Sequence, residues 1–152
     1  MLRQIITDSL KTAMKARDEL GTSTFRMVLA ALKDRDIDAR GKGKPEGIAE
    51  PEIMSMLQNL IKSRRDSIEL YQKGGRPELA AKESAEIAVI QKLLPQQMDE
   101  AGTAAAVKKL VEELGAKTVK DMGRVMAALK ERHAGRIDMA KAGAIVKQHL
   151  SA

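Results

Sequence analysis

The sequence predicts an all-α fold in two parts: an N-terminal four-helix domain that contains a long αα-hairpin, and a small C-terminal three-helix domain. Three observations lead to this prediction. Apolar residues recur at helical spacing in every long segment, no stretch alternates apolar and polar residues as a strand would, and glycine or proline separates the segments. We place the two domains at residues 1–94 and 95–152.

The first two helices follow from apolar stripes near the start of the chain. One stripe predicts a helix over about residues 2–18, and we expect Gly21 to end it. Thr22 or Ser23 can then cap a second helix that extends to about residue 39.

A long helical hairpin is predicted after a flexible loop at residues 40–47, which holds three glycines and a proline. Pro51 suits the first turn of a third helix, and the glycine pair at 74–75 ends that helix. Pro77 starts a fourth helix that runs to about residue 93. A short connection between two long helices is typical of an antiparallel αα-hairpin.

Two charged residues interrupt the apolar stripes of this hairpin. Arg64 stands in the stripe of the third helix and Glu83 in the stripe of the fourth. Either charge alone would be costly to bury, so we interpret the two as a structural ion pair across the hairpin. A catalytic Arg/Glu pair is the alternative.

The last third of the chain predicts three shorter helices. Pro95 ends the fourth helix, and the polar residues that follow it read as a linker. Gly115 and Gly135 separate the later stripes, and Asp138 can cap the last one. The predicted helices cover about residues 103–114, 119–133 and 138–150.

The composition excludes several kinds of function. One Phe, one Tyr and no Trp leave almost nothing for base stacking, and the chain has no cysteine and only two histidines. No nucleotide-binding or hydrolase motif is present, so we predict no catalytic residue, no metal and no cofactor. The start of the chain does not resemble a signal peptide, and no stretch is long and apolar enough for a membrane span. We therefore expect a cytoplasmic protein without a membrane partner.

The net charge of +6 is concentrated at the end of the chain. Residues 117–152 hold eight basic and three acidic residues, which favours a polyanionic partner. Lys120 and Arg124, four residues apart, are expected to share one helix face, and the N-termini of the short helices can donate backbone N–H groups to phosphates. A basic surface that only keeps the protein soluble is the competing interpretation. The candidate RNA-binding residues are Lys120, Arg124, Lys130, Arg132, Arg136, Lys141 and Lys147.

Several segments resemble a known family, the YqeY family. They are KSRRDSI at 62–68, GRPELAAKE at 75–83, LLPQQ at 93–97, KDMGRVM at 120–126 and GRID at 135–138. The resemblance covers nearly the whole chain. It implies a helical N-terminal domain joined to a three-helix tail that is similar to the tail domain of the B subunit of the glutamine-dependent aspartyl/glutamyl-tRNA amidotransferase.

What the resemblance implies about function is an accessory role. In the amidotransferase the tail helps to hold tRNA, while separate domains perform activation and ammonia transfer. The family association is therefore carbon–nitrogen ligase activity with glutamine as amido-N-donor, and we expect no autonomous activity from this chain. We predict binding of structured RNA, tRNA above all, through the basic C-terminal surface. The alternative is a protein–protein assembly module for a translation or amidotransferase complex.

Overall fold

The computed structural model describes residues 1–95, 97–133 and 135–151. Within these residues every regular element is helical and no strand occurs, which confirms the all-α prediction. The contacts of the chain divide it into two compact units. Unit 1 is Met1–Leu94 and unit 2 is Pro95–Ala152.

Unit 1 is built from two pairs of helices around one apolar core. α3 and α4 pack against each other along their length, α1 packs along α2, and α2 also contacts α4. The core includes the fully buried side chains of Ile6, Val28, Ile53, Leu57 and Ile90. The helices are α1 (Leu2–Lys15), α2 (Glu19–Gly41), α3 (Glu50–Lys73) and α4 (Pro77–Gln91).

The turn between α1 and α2 differs from the prediction. Arg17 is the residue that adopts a left-handed conformation there, with φ +55°, and Asp18 caps α2 by accepting a hydrogen bond from Gly21 N at 2.9 Å. Gly21 therefore lies in the first turn of α2, and the prediction that it ends α1 is wrong. A Cβ at Gly21 would overlap the Asp18 carboxylate, so the glycine permits a close cap.

The end of α4 also lies earlier than predicted. α4 ends at Gln91, and two turn hydrogen bonds follow it: Leu93 N donates to Ile90 O, and Leu94 N donates to Gln91 O. Both leucines are buried in the core of unit 1. Their apolar character extends the sequence pattern beyond the helix, which is why the periodicity placed the boundary too late.

Unit 2 packs three short helices around its own core. Val107, Leu110, Val125, Leu129 and Val146 are almost completely buried in that core. The elements are α5 (Glu100–Leu114), a 3₁₀ turn (Val119–Asp121), α6 (Met122–Arg132) and α7 (Met139–Ser151).

The predicted helix at 119–133 is divided into the 3₁₀ turn and α6. The Asp121 carboxylate accepts hydrogen bonds from Lys117 N at 3.0 Å and Thr118 N at 3.2 Å, and these bonds hold a tight turn ahead of α6. α5 begins earlier than predicted because Asp99 caps it, accepting from Gly102 N at 2.7 Å.

Candidate nucleic-acid interface

All seven candidate RNA-binding residues are exposed in unit 2. Lys120 lies in the 3₁₀ turn and Arg136 in the connection between α6 and α7. α6 carries Arg124, Lys130 and Arg132, and α7 carries Lys141 and Lys147. Lys120 and Arg124 therefore belong to different elements, and the prediction that they share one α-helical face is wrong.

α7 packs against α6 and against the 3₁₀ turn. The place that a Gly143 Cβ would take lies 3.6 Å from Met126 Cε and 3.7 Å from Met122 Cε. The first half of α7 therefore lies beside the first half of α6. The seven cations thus belong to elements that pack together, or to the connection between two of them.

Arg124 and Arg132 each have a carboxylate partner among the described residues. Arg124 Nη2 lies 3.1 Å from Asp121 Oδ1, and Arg132 Nη1 lies 2.5 Å from Glu113 Oε2. The hydrogen bond from Arg132 lowers the pKa of Glu113, and the backbone N–H groups of Lys117 and Thr118 lower the pKa of Asp121. These carboxylates stay charged at neutral pH and compete with a phosphate for their arginines.

The N-termini of α5 and α7 do not offer the phosphate sites that the sequence suggested. Asp99 accepts from the first turn of α5. Asp138 Oδ1 accepts from Ala140 N at 3.0 Å and Lys141 N at 3.3 Å at the start of α7. A carboxylate thus occupies the place where a phosphate oxygen would bind at these two helices, and for them that expectation is wrong.

The two glycines beside the basic surface have different surroundings. Gly143 packs against methionine side chains of α6, whereas no heavy atom lies within 4 Å of the position that a Cβ at Gly123 would take. Gly123 therefore leaves open space on the first turn of α6, next to Arg124 in the sequence.

In unit 1 the hairpin brings Arg64 close to two carboxylates. Arg64 Nε lies 3.9 Å from Glu83 Oε2 and 3.0 Å from Glu86 Oε2. The guanidinium also donates to Leu60 O at 3.2 Å and to Met27 Sδ at 3.5 Å. Sequence reasoning selected Glu83 and missed Glu86, which is the nearer partner and lies one helical turn further along α4.

A second ion pair of unit 1 was not predicted. The Arg3 guanidinium donates to both oxygens of the buried Asp36, with 2.7 Å from Nη2 to Oδ1, and Nη2 also donates to Ile48 O at 2.7 Å. Asp36 Oδ1 accepts from Ile48 N at 2.9 Å as well. Through Ile48 the pair connects the loop before α3 to α1 and α2. The hydrogen bond from Arg3 lowers the pKa of Asp36.

The described residues hold no candidate membrane span and no candidate metal site. No helix in this part of the chain is long and apolar enough to cross a membrane. No group of three or more His, Cys, Asp or Glu side chains among the same residues is arranged to hold a metal ion.

The fold and surfaces define a class: an all-helical protein of two units, with an exposed basic surface on the smaller one. The family model described as Yqey-like protein matches residues 3–150. The chain belongs to the YqeY family, as the resemblance indicated.

The curated relatives are proteins named Altered inheritance of mitochondria protein 41, mitochondrial. That of Lachancea thermotolerans is 37% identical over 107 residues, which cover 69% of this chain and 55% of the relative. That of Saccharomyces cerevisiae is 33% identical over 115 residues, covering 74% and 60%. That of Vanderwaltozyma polyspora is 37% identical over 97 residues, covering 59% and 50%. The chain spans half to three fifths of the length of these relatives.

The names of these relatives contradict the predicted location. They are mitochondrial proteins by name, so the prediction of a cytoplasmic protein is wrong by this comparison. That prediction depended on the lack of a secretory or membrane-spanning segment. This property does not distinguish the cytoplasm from the interior of an organelle.

Proposed function

We propose that this protein is a non-catalytic accessory factor that binds structured RNA, transfer RNA above all, through the exposed cations of unit 2. The observation that carries the proposal is the excess of basic residues over residues 117–152, all seven candidates being exposed. The association with glutamine-dependent carbon–nitrogen ligase activity is supported by the resemblance of segments 120–126 and 135–138 to the amidotransferase tail.

The kind of recognition follows from the residue types. Phe25 and Tyr71 are the aromatic residues of the chain, and both belong to unit 1. Unit 2 therefore has no Phe, Tyr or Trp ring on which a base could stack, and lysine is a flexible point charge suited to phosphates. Binding through phosphates and 2′-hydroxyls reads the shape of a folded RNA more than its sequence.

The lysines are expected to contribute more than the paired arginines. Lys120 and Lys147 take part in none of the ion pairs formed among the described residues, and the same holds for Lys130 and Lys141. Arg124 must exchange its contact with Asp121 for a phosphate, which cancels part of the gain. We therefore assign the main contacts to Lys120, Lys130, Lys141 and Lys147.

The test compares three double variants of the full chain. Lys120→Gln/Lys147→Gln and Lys130→Gln/Lys141→Gln each remove two exposed charges from unit 2, and Lys11→Gln/Lys15→Gln removes two exposed charges from α1 of unit 1. Each is titrated with a transfer RNA transcript at several salt concentrations. All three lose the same net charge, so only the position of the charge differs.

We expect both unit 2 variants to bind the RNA more weakly than the unit 1 control. Each lost phosphate contact should reduce the slope of log K against log salt by roughly 0.7–0.9. If all three variants bind with the same affinity and slope, the basic surface of unit 2 has no specific RNA role. That result would favour the protein-assembly alternative.

A further inference from the structure

A groove on unit 1 lies between α1 and α2, on residues that the proposed RNA contact does not use. It encloses about 510 Å³. Leu29, Leu32 and Ile37 form its apolar lining, and Arg3, Lys33 and Arg40 supply positive charge. No residue of α3 or α4 lines it, so the groove opens on the outer side of the α1–α2 pair.

The apolar lining is incompletely covered. Leu32 is buried, but Ile37, which also lines the groove, is 54% exposed. On α1, Thr7 lines the groove, and Leu10 and Met14 continue the same helical row, with Met14 half-exposed. From Arg3 to Met14 this row extends about 16 Å, or three helical turns.

The charge of the groove is positive after its internal pairing. Asp36 is its single acidic lining residue, and both carboxylate oxygens are engaged by Arg3 and by Ile48 N. Lys33 takes part in no ion pair among the described residues, and Arg40 donates one bond from Nε to Pro45 O at 3.2 Å. Lys33 and Arg40 thus lie beside the apolar lining, and neither forms an ion pair among the described residues.

We propose that this groove binds an acidic amphipathic helix of a partner protein. Such a helix would place apolar residues against Leu29 and Ile37 and carboxylates beside Lys33 and Arg40. A small molecule would be enclosed poorly, because high exposure of the lining is unlike the deep burial that small ligands need. RNA would leave the apolar lining unused, and the groove has no aromatic ring for stacking.

The experiment uses the full isotope-labelled chain and a stapled helical peptide of about 15 residues, with Leu at positions i, i+4 and i+7 and Glu on the flanking positions. A second peptide replaces every Glu by Lys. Amide chemical shifts report where each peptide binds, and fluorescence anisotropy reports the affinity. A short RNA hairpin is the third probe.

We expect the acidic peptide to bind with shifts at Thr7, Lys33 and Ile37, and the basic peptide to bind at least about tenfold more weakly. Ile37→Asp and Lys33→Glu should each weaken acidic-peptide binding by about tenfold or more. The matched controls are Ile5→Asp and Lys62→Glu, which change exposed residues outside the groove and should leave the affinity unchanged.

Three results would overturn the proposal. The first is no binding of the acidic peptide up to about 1 mM, a concentration at which even a weak site is occupied. The second is equal loss in the groove variants and their controls. The third is perturbation of the groove by the RNA hairpin with an affinity equal to that of the peptide, which would identify the site as a general anion site. None of these results affects the proposed contact of unit 2 with RNA.

Discussion

Unit 1 holds two ion pairs within its helical packing, Arg64–Glu86 and Arg3–Asp36, whereas the ion pairs of the described residues of unit 2 lie at the surface. The side chains of Arg64 and Glu86 are 15% and 17% exposed, while those of Arg132 and Glu113 are 51% and 37% exposed. A desolvated charge is stable only with its partner, but water and salt ions replace a partner at the surface. The two packed pairs of unit 1 therefore stabilise the fold, whereas the paired arginines of unit 2 are accessible to a ligand.

The largest loss of folding stability is expected from a substitution of Asp36, the buried partner of Arg3. Asp36→Ala leaves the Arg3 guanidinium without its carboxylate and Ile48 N without its acceptor, and it should lower the free energy of unfolding by about 2–4 kcal/mol. Urea denaturation of the variant and the wild type measures this. The control is Asp38→Ala, which removes an exposed carboxylate two residues away that pairs with Lys42 at 2.8 Å. Equal losses in the two variants would contradict a structural role for the buried pair.

The pH dependence of stability gives a second view of Asp36. Because its pKa is lowered in the folded state, its contribution is fully present above the unfolded pKa of about 3.9. The contribution is lost as the pH falls through the folded pKa. The stability difference between wild type and Asp36→Asn should therefore shrink as the pH falls below about 4. A difference that stays constant down to the acid transition would contradict the lowered pKa.

The next largest loss of stability is expected from substitutions of Arg64 and of its two carboxylate partners, Glu83 and Glu86. Arg64→Ala should cost about 1–4 kcal/mol, and Glu86→Ala should cost more than Glu83→Ala because Glu86 is the nearer partner. In a double-mutant cycle, Arg64→Ala/Glu86→Ala should lose less than the sum of the single losses. Strictly additive losses would show that the two side chains do not stabilise each other.

The helices of this protein could be predicted because each has an apolar stripe of helical period. The same reasoning identified Arg64 and Glu83, since a charge inside a stripe needs a partner. Asp36 carried the same signal, because it follows Leu32 at helical spacing in the stripe of α2. Its partner Arg3 lies 33 residues away, and only the packing of α1 on α2 brings the two together.

The boundaries and the details of the candidate interface were harder to predict. A glycine such as Gly21 commonly marks the end of a helix. Here it lies in the first turn of α2 instead, because the Asp18 carboxylate that caps α2 leaves no room for a side chain at this position. Charge counting found the basic surface of unit 2. It could not show that Glu113 pairs with Arg132, since that contact joins α5 to α6 across 19 residues.

A smaller loss of stability is expected from a substitution in the loop before α3, which Asp36 contacts through Ile48 N. Gly47 has φ +85°, and a Cβ there would overlap Asp36 Oδ1, whereas Gly43 has φ +87° and open space around it. Both Ala variants carry the backbone strain, so Gly43→Ala is the matched control. We expect Gly47→Ala to lose about 1–2 kcal/mol more than Gly43→Ala, because the new methyl group displaces the carboxylate. Urea denaturation compares the two, and equal losses would mean that the carboxylate adjusts without cost.

The smallest change in stability is expected from a substitution of Glu113 in unit 2. The same variant gives the sharpest test of the contrast between packed and exposed ion pairs. Glu113→Gln removes the carboxylate partner of Arg132, and since the pair is exposed the melting temperature should change by no more than about 2 °C. If unit 2 binds RNA as proposed, the freed arginine should raise transfer RNA affinity by up to about fivefold at low salt. Glu112→Gln is the control, because Glu112 is an exposed neighbour of the same charge that forms no ion pair among the described residues. Glu113 Oε1 also lies 4.0 Å from Lys109 Nζ, so the gain is assigned to Arg132 only if Arg132→Gln abolishes it. A gain that meets this condition would show that the surface pair competes with RNA for Arg132, whereas equal affinities of Glu113→Gln and Glu112→Gln would remove Arg132 from the interface.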